Sequence, residues 1–240
     1  MIESSEVKRA FCFVAGRHHG PDCWQLLQEE LSHEGWGSIT PDLPIENELF
    51  SLDDHAKVVN RAEWTSGASE IYRVGWSWGA NVIPRAIGIT AVKKLIFIAG
   101  AFHPATLRRR VKGPIPSPIH SINYEVMEHS PQKGLDEMAD HVFYRDIGDE
   151  KLRSALVEKL RPHPRRKIEP QLTHFPELPL EYIVLTEDQA LLPDSQREFA
   201  RVLGIEPVEF PSGHVPMFPK SKAKKLANLL IGLADRENLS

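Results

Sequence analysis

Apolar residues in this chain gather in short runs separated by longer stretches with helical spacing. The runs are Ala10 to Ala15, Ser38 to Thr40, Ile71 to Val74, Leu95 to Ala99, Tyr182 to Leu185 and Ile205 to Phe210. Most are rich in β-branched or aromatic residues, and all are short enough for strands covered on both faces. Between them, helical patterns span about Pro21 to Glu34, Leu52 to Thr65, Trp78 to Ile89, where Pro84 should kink or shorten the helix, Asp194 to Leu203 and Lys220 to Ala234. Strand and helix in alternation predict an α/β fold: a mostly parallel six-stranded sheet with helices on both faces. One interval, Pro104 to Pro176, breaks the rhythm. It holds helical patterns at Gly134 to Phe143 and Asp149 to Leu160 but no convincing strand, and Pro114, Pro162, Pro164, Pro170 and Pro176 punctuate it. It reads as an inserted helical cap, so the expected organisation is a core at 1–104, a cap at 105–176 and the rest of the core at 177–240.

The strongest chemical signal is Gly75-Trp76-Ser77-Trp78-Gly79, directly after the third apolar run and before Ala80-Asn81-Val82-Ile83. A sharp strand-to-helix turn forces its serine into a strained conformation, and small flanking residues let strand and helix pass closely. Such a pentapeptide arises by chance in roughly one chain in ten of this length, so the partners decide its worth. A serine nucleophile needs a base to take its proton and a carboxylate to orient the base. Asp188 follows the Tyr182 to Leu185 strand, and His214, in Pro211-Ser212-Gly213-His214, follows the last one. Both fall at strand C-terminal ends, where open parallel sheets build their sites. Glu187 and Asp194 are rival acids; Asp194, right after Pro193, reads better as a helix N-cap. Two N–H donors should meet the oxyanion, from Trp78 and from Arg17 in the Gly16-Arg17-His18-His19-Gly20 loop. His18, His19, Trp76 and Phe102 are candidate pocket residues. The remaining histidines, His55 and His163 among them, belong to no motif and read as surface or cap packing.

Charge and cysteine content narrow the function classes. The 29 basic and 33 acidic residues leave a formal charge of −4, which offers no general attraction to nucleic acid or an anionic membrane. The basic runs Arg108-Arg109-Arg110 and Arg165-Arg166-Lys167 lack interleaved aromatics and read as solvated cap surface. No signal-peptide pattern or membrane-length apolar segment is present, and Cys12 and Cys23 suggest reduced thiols, so a cytoplasmic chain is expected. No metal-ligand spacing exists among the histidines, so no metal is expected, and the expected serine chemistry requires no cofactor. The expected partner is a small-molecule ester, acted on by the single chain or by a homodimer.

The motifs together resemble an α/β-hydrolase fold family, in the branch of plant methyl-ester esterases, hydroxynitrile lyases and related bacterial hydrolases. Phe13-Val14-Ala15-Gly16 with His19-Gly20 and Trp24 is similar to that branch's first strand and oxyanion loop. Thr40-Pro41-Asp42-Leu43-Pro44 is similar to its P-D-L-P segment, and Thr186-Glu187-Asp188, Gly213-His214 and Pro216-Met217 to its acid and base loops. The early first strand also fits. The resemblance implies Ser77, Asp188 and His214 as triad, with the Arg17 and Trp78 amides as oxyanion hole. The chain departs from the pattern at Ala15, usually histidine, at Arg17, usually small, and at Asp22, usually tryptophan. Gly16 and Val215 stand where the lyases have threonine and lysine, which disfavours cyanogenic chemistry. The expected activity is therefore that of a serine hydrolase on a small carboxylic ester, lactone or thioester. The alternatives on the same scaffold are a cofactor-free lyase or cyclase and a non-catalytic ligand sensor.

Overall fold

The computed structural model describes residues 9–88, 90–111, 114–116, 142–164 and 169–236. Six strands among them form one sheet: β1 (Arg9–Val14), β2 (Gly37–Ile39), β3 (Glu70–Trp76), β4 (Val92–Ile98), β5 (Leu180–Leu185) and β6 (Val208–Phe210). Their order is β2-β1-β3-β4-β5-β6, and every neighbouring pair is parallel. The helices are α1 (Gln25–His33), α2 (Leu52–Ser66), α3 (Pro104–Leu107), α4 (Glu150–Val157), α5 (Pro193–Leu203) and α6 (Lys220–Asp235).

Successive strand residues point to opposite faces, and the sequence fills both. On one face Phe11, Phe13, Val74, Ile96 and Ile183 share a core with Leu27 and Leu31 of α1 and Leu226 and Leu230 of α6. On the other, Ala10, Cys12, Val14, Phe97 and Val184 pack with Val59 of α2 and Phe199 and Leu203 of α5. Each large side chain so buried contributes about 1.5–3 kcal/mol relative to exposure. Residues of the β4–β5 connection join these cores rather than forming one apart: Phe143, Tyr144 and Leu156 belong to the first, Leu172 and Phe175 to the second. No helix among the described residues is long and apolar enough to cross a membrane.

Three expectations need correction. The helix foreseen over Trp78 to Ile89 is a short 3-10 turn, Ser77–Asn81, followed by irregular turns; Ile89 lies outside the described residues. Pro84 is the reason, since it lacks an N–H and its ring would collide with the carbonyl four residues back. The final strand starts at Val208, not Ile205. Asp194 is not the cap of α5: Leu192 holds that position, Pro193 opens the first turn, and Asp194 pairs with Arg197 instead. The expected helix at Gly134 to Phe143 lies outside the described residues up to residue 141, as does the run Arg165-Arg166-Lys167. Arg108, Arg109 and Arg110 are exposed just after α3.

The irregular segment after Ser77 leaves carbonyls that a helix would have satisfied, and a buried charge takes them up. Arg73 lies on the α2 face of β3 with its side chain only 2% exposed. Its Nε and Nη2 each donate to one oxygen of Glu63 at 2.7 Å, and Nη1 donates to the carbonyls of Ile83 and Ala86. One guanidinium thus joins β3, α2 and the segment that follows Ser77.

Candidate active site

β1 and β3 are adjacent in the sheet, but the chain leaves β1 toward β2 and leaves β3 toward β4. At such a switch point the loops at the strand C-terminal ends part and open a crevice. Ser77 stands there, immediately after β3, with φ of 50°, a left-handed conformation unusual for a non-glycine residue. Two glycines make the turn possible. A Cβ at position 75 would lie 2.9 Å from the Gly79 carbonyl oxygen, and one at position 79 would run into the carbonyl oxygens of Val14 and Ala15. Gly16 brings the β1 loop equally close, since a Cβ there would be 3.1 Å from that of Ser77.

The β5 and β6 loops are tied together by Thr186 N–H donating to the Phe210 carbonyl and Glu187 N–H to the Ser212 carbonyl, both at 3.0 Å. Asp188 and His214 meet across them. His214 Nδ1 lies 2.7 Å from Asp188 Oδ2, and Nε2 lies 3.1 Å from Ser77 Oγ. An ionised carboxylate only accepts, so Nδ1 carries the proton and Nε2 offers its lone pair to the serine hydroxyl. Asp188 is fully buried, and each oxygen has two donors. Oδ1 accepts from the Ala190 and Leu191 amides at 2.7 and 3.0 Å; Oδ2 accepts from His214 and from Gln196 Nε2 at 2.9 Å. Four hydrogen bonds hold the carboxylate in one orientation.

Behind His214 the support continues. Trp76 donates from its indole N–H to the His214 carbonyl at 2.8 Å, and Phe143 stacks on the imidazole with ring centroids 5.6 Å apart. The adjacent Gly213 N–H donates to Asp146, which is also paired with Lys222.

On the β1 side, His18 and His19 have opposite surroundings. His19 Nδ1 is 2.7 Å from the Arg17 carbonyl, and Nε2 is 2.9 Å from the Tyr144 hydroxyl. Burial lowers its pKa to about 3 and raises that of Tyr144, so a neutral His19 donates through Nδ1 and the phenol donates to Nε2. His18 has a positive φ of 66° and is 2% exposed. Its carbonyl accepts from Arg161 N–H at 2.9 Å, and its Nδ1 lies 2.9 Å from the Arg161 carbonyl. Its Nε2 is buried with no hydrogen-bond partner among the described residues. Burial lowers its pKa to about 4. Arg161 is anchored in turn by Asp42, Glu46 and the Leu43 carbonyl.

Of the residues expected from the sequence, Ser77, Asp188 and His214 are brought into one hydrogen-bonded line. Trp78 follows the serine within the 3-10 turn, and Arg17, half-buried, reaches the His163 carbonyl from Nη2 at 3.4 Å. His18 and His19 lie in the loop beside Ser77. Trp76 sits behind His214, its indole N–H bonded to the His214 carbonyl. Phe102 packs edge-on against Phe97 and Phe199 in the core. His163 and His55 were expected to be packing residues, yet both rings meet Trp78 edge-on, with centroids 4.5 and 5.3 Å away. Gln196 was not foreseen, although its helical spacing with Phe199, Ala200 and Leu203 puts it on the inward face of α5; that spacing marks the face but not the partner. Among the described residues, no group of three or more His, Cys, Asp or Glu side chains is arranged to hold a metal ion.

Comparison with known proteins agrees with this architecture. No curated protein matches the sequence significantly. Solved structures do match, all at low identity. An extracellular alpha/beta-hydrolase from a Paenibacillus species, which shares structural and functional homology with tobacco salicylic acid binding protein 2, is 16% identical with a TM-score of 0.70, over 93% of this chain and 98% of its own. A methylesterase from Arabidopsis is 20% identical with a TM-score of 0.66, over 94% and 99%. Tomato methylketone synthase I, solved with β-ketoheptanoate, is 19% identical with a TM-score of 0.70, over 95% and 98%. Such identities speak for the fold alone, and they fall in the branch that the motifs resemble. The family profile described as alpha/beta hydrolase matches residues 13–229, nearly the whole chain; this protein is an enzyme of the alpha/beta hydrolase family.

Proposed function

We propose that this enzyme is a serine hydrolase that cleaves a small carboxylic ester, lactone or thioester through an acyl-enzyme. The observation that carries the reading is the continuous line from Asp188 through His214 to Ser77, at 2.7 and 3.1 Å, distances within reach for proton transfer. Ser77 Oγ attacks the carbonyl carbon while its proton passes to His214 Nε2. Asp188 holds the imidazole in the Nδ1–H form and stabilises the imidazolium without taking its proton. The amides of Trp78 and Arg17 donate to the oxyanion. Collapse of the tetrahedral intermediate expels the alcohol or thiol, which takes the proton from His214. Water then attacks the acyl-enzyme with His214 as base and frees the acid and the serine. The β4–β5 connection serves as the cap that shapes the site. The two cysteines, buried and free, suit a reducing cytoplasm.

The test is labelling by a fluorophosphonate probe together with hydrolysis of p-nitrophenyl esters of graded acyl length. Wild type labels and turns over, while Ser77→Ala does neither and keeps a native circular dichroism spectrum. Labelling that persists in Ser77→Ala removes the assignment.

A further inference from the structure

Two buried nitrogens near Ser77 are left without partners among the described residues. His18 belongs to the loop whose Gly16 touches Ser77, and its ring centroid lies 5.8 Å from that of His163. The His163 ring packs against Trp78, the residue after Ser77. His18 Nε2 and His163 Nδ1 are both buried with no hydrogen-bond partner among the described residues. Buried polar atoms in native proteins are nearly always satisfied, so each such atom calls for an explanation.

The chemistry of the His18 nitrogen follows from its other side. Nδ1 faces a carbonyl oxygen, which can only accept, so Nδ1 holds the proton. Burial and the nearby Arg17 charge keep the ring neutral at neutral pH. Nε2 is therefore a bare lone pair, held in place because the Arg161 backbone grips both the carbonyl and the ring of His18. An alkyl group would leave that lone pair unsatisfied. A carboxylate would set lone pair against lone pair. A hydroxyl donates to Nε2 and keeps lone pairs for His163 in its Nδ1–H form. The lysine-like cations that could also donate are disfavoured by Arg17, whose charge reaches both histidines.

We propose that His18 and His163 form a hydroxyl-binding subsite beside the Ser77 centre, so that the preferred ester carries a free hydroxyl close to its scissile carbonyl. The inference deepens the serine hydrolase reading and rests on it. The hydroxyl belongs either to the acyl chain or to the alcohol, and two substrate pairs separate these sources. One pair is p-nitrophenyl butyrate and p-nitrophenyl 3-hydroxybutyrate; the other is propyl butyrate and 2-hydroxyethyl butyrate. A p-nitrophenyl hemisuccinate adds the anionic competitor.

Wild type should favour the hydroxylated member of one pair by about tenfold or more in kcat/KM. In His18→Asn that ratio should fall to near one, because asparagine tolerates the left-handed backbone and can still donate to the Arg161 carbonyl, yet places nothing at Nε2. His163→Phe keeps a ring over Trp78 and should lower the ratio as well. Equal rates within both pairs, a ratio preserved in His18→Asn, or hemisuccinate preferred over both butyrates overturns the proposal. A second measurement does not depend on turnover. In Ser77→Ala with ¹⁵N-labelled histidine, ethyl 3-hydroxybutyrate or 2-hydroxyethyl butyrate should shift the His18 Nε2 resonance, and ethyl butyrate should not. No shift with either hydroxylated ester removes the subsite even where Ser77 of the wild type labels. A shift without labelling of the wild type keeps the subsite and removes the nucleophile.

Discussion

Around Asp188 each carboxylate oxygen receives two donors, the histidine it holds is stacked and tethered, and the glutamine beside it is bonded at both ends. Around His18 and His163, at the loop beside the same serine, two buried nitrogens have no partner among the described residues. His19 makes the contrast sharper, because it is the neighbour of His18 and has both nitrogens occupied. A group that must keep one orientation through every turnover gains from complete satisfaction, which costs no reorganisation when the reaction occurs. A group that recognises a transient visitor must keep a bond free for it. On the proposed reading the two corners divide the work: one is prepared for chemistry, the other for recognition.

The comparison can be broken at either corner, and the expected effects differ in size and kind. Asp188→Asn replaces an acceptor by a group that is half donor, facing two amides, Gln196 and the imidazole N–H. It should lower kcat by about 10³–10⁴-fold with the fold retained; a loss below tenfold in ester hydrolysis would show that Asp188 does not orient the base. Glu63→Gln tests a corner that is equally well paired but remote from the chemistry. It strips the buried Arg73 of its counter-charge and should cost about 3 kcal/mol of stability, read as a lower urea midpoint at unchanged slope, while kcat stays within about twofold.

Acid acts on the histidines beside Ser77. The folded pKa values of His18 and His19, about 4 and about 3, lie below the ordinary 6.5. Between these values the unfolded chain binds protons that the folded chain refuses, so stability is full above pH 6.5 and declines as pH falls toward 4. The loss should reach about 3 kcal/mol from His18 alone, and His18→Asn should flatten the stability profile measurably. A profile unchanged by that substitution would mean that His18 is not held neutral. The smallest effect belongs to Gln196→Met, which removes one of the four donors to Asp188 and leaves the Leu185 amide and Leu191 carbonyl unserved. It should lower kcat about tenfold with KM little changed; a change in KM alone would move Gln196 from orienting the acid to shaping the pocket.

Legibility in the sequence follows the reach of each interaction. The central strands were readable because a strand buried on both faces is largely apolar, and Phe11, Val74 and Ile183 announce that locally; the short edge strands β2 and β6 are only partly buried and showed chiefly through the alternation around them. Their ends were less readable, since pairing across the sheet, not composition, decides that β3 runs on to Trp76. The helix after Ser77 failed where local pattern met local sterics: the apolar spacing was helical, but Pro84 overruled it. Ser77, Asp188 and His214 were legible as candidates because each follows a strand end, a position that topology turns into proximity. Arg73 and Gln196 were not, because a polar residue in an element gives no sign of its partner, and Glu63 and Asp188 lie in other elements. His163 was hidden for the same reason, as its meeting with Trp78 is a contact between distant parts of the chain.

The grip of Arg161 on His18 also has a consequence for the order in which the site is assembled. The two residues are 143 positions apart, so the loop beside the serine cannot acquire its final shape until much of the β4–β5 connection has been made. Domains on the ribosome emerge amino-terminus first, and contacts of such long sequence separation form late. A nascent chain ending before residue 161 would carry Ser77 on its strand with the loop beside it unset, and would still lack Asp188 and His214. In the proposed mechanism, reactivity is thereby postponed until synthesis is nearly complete.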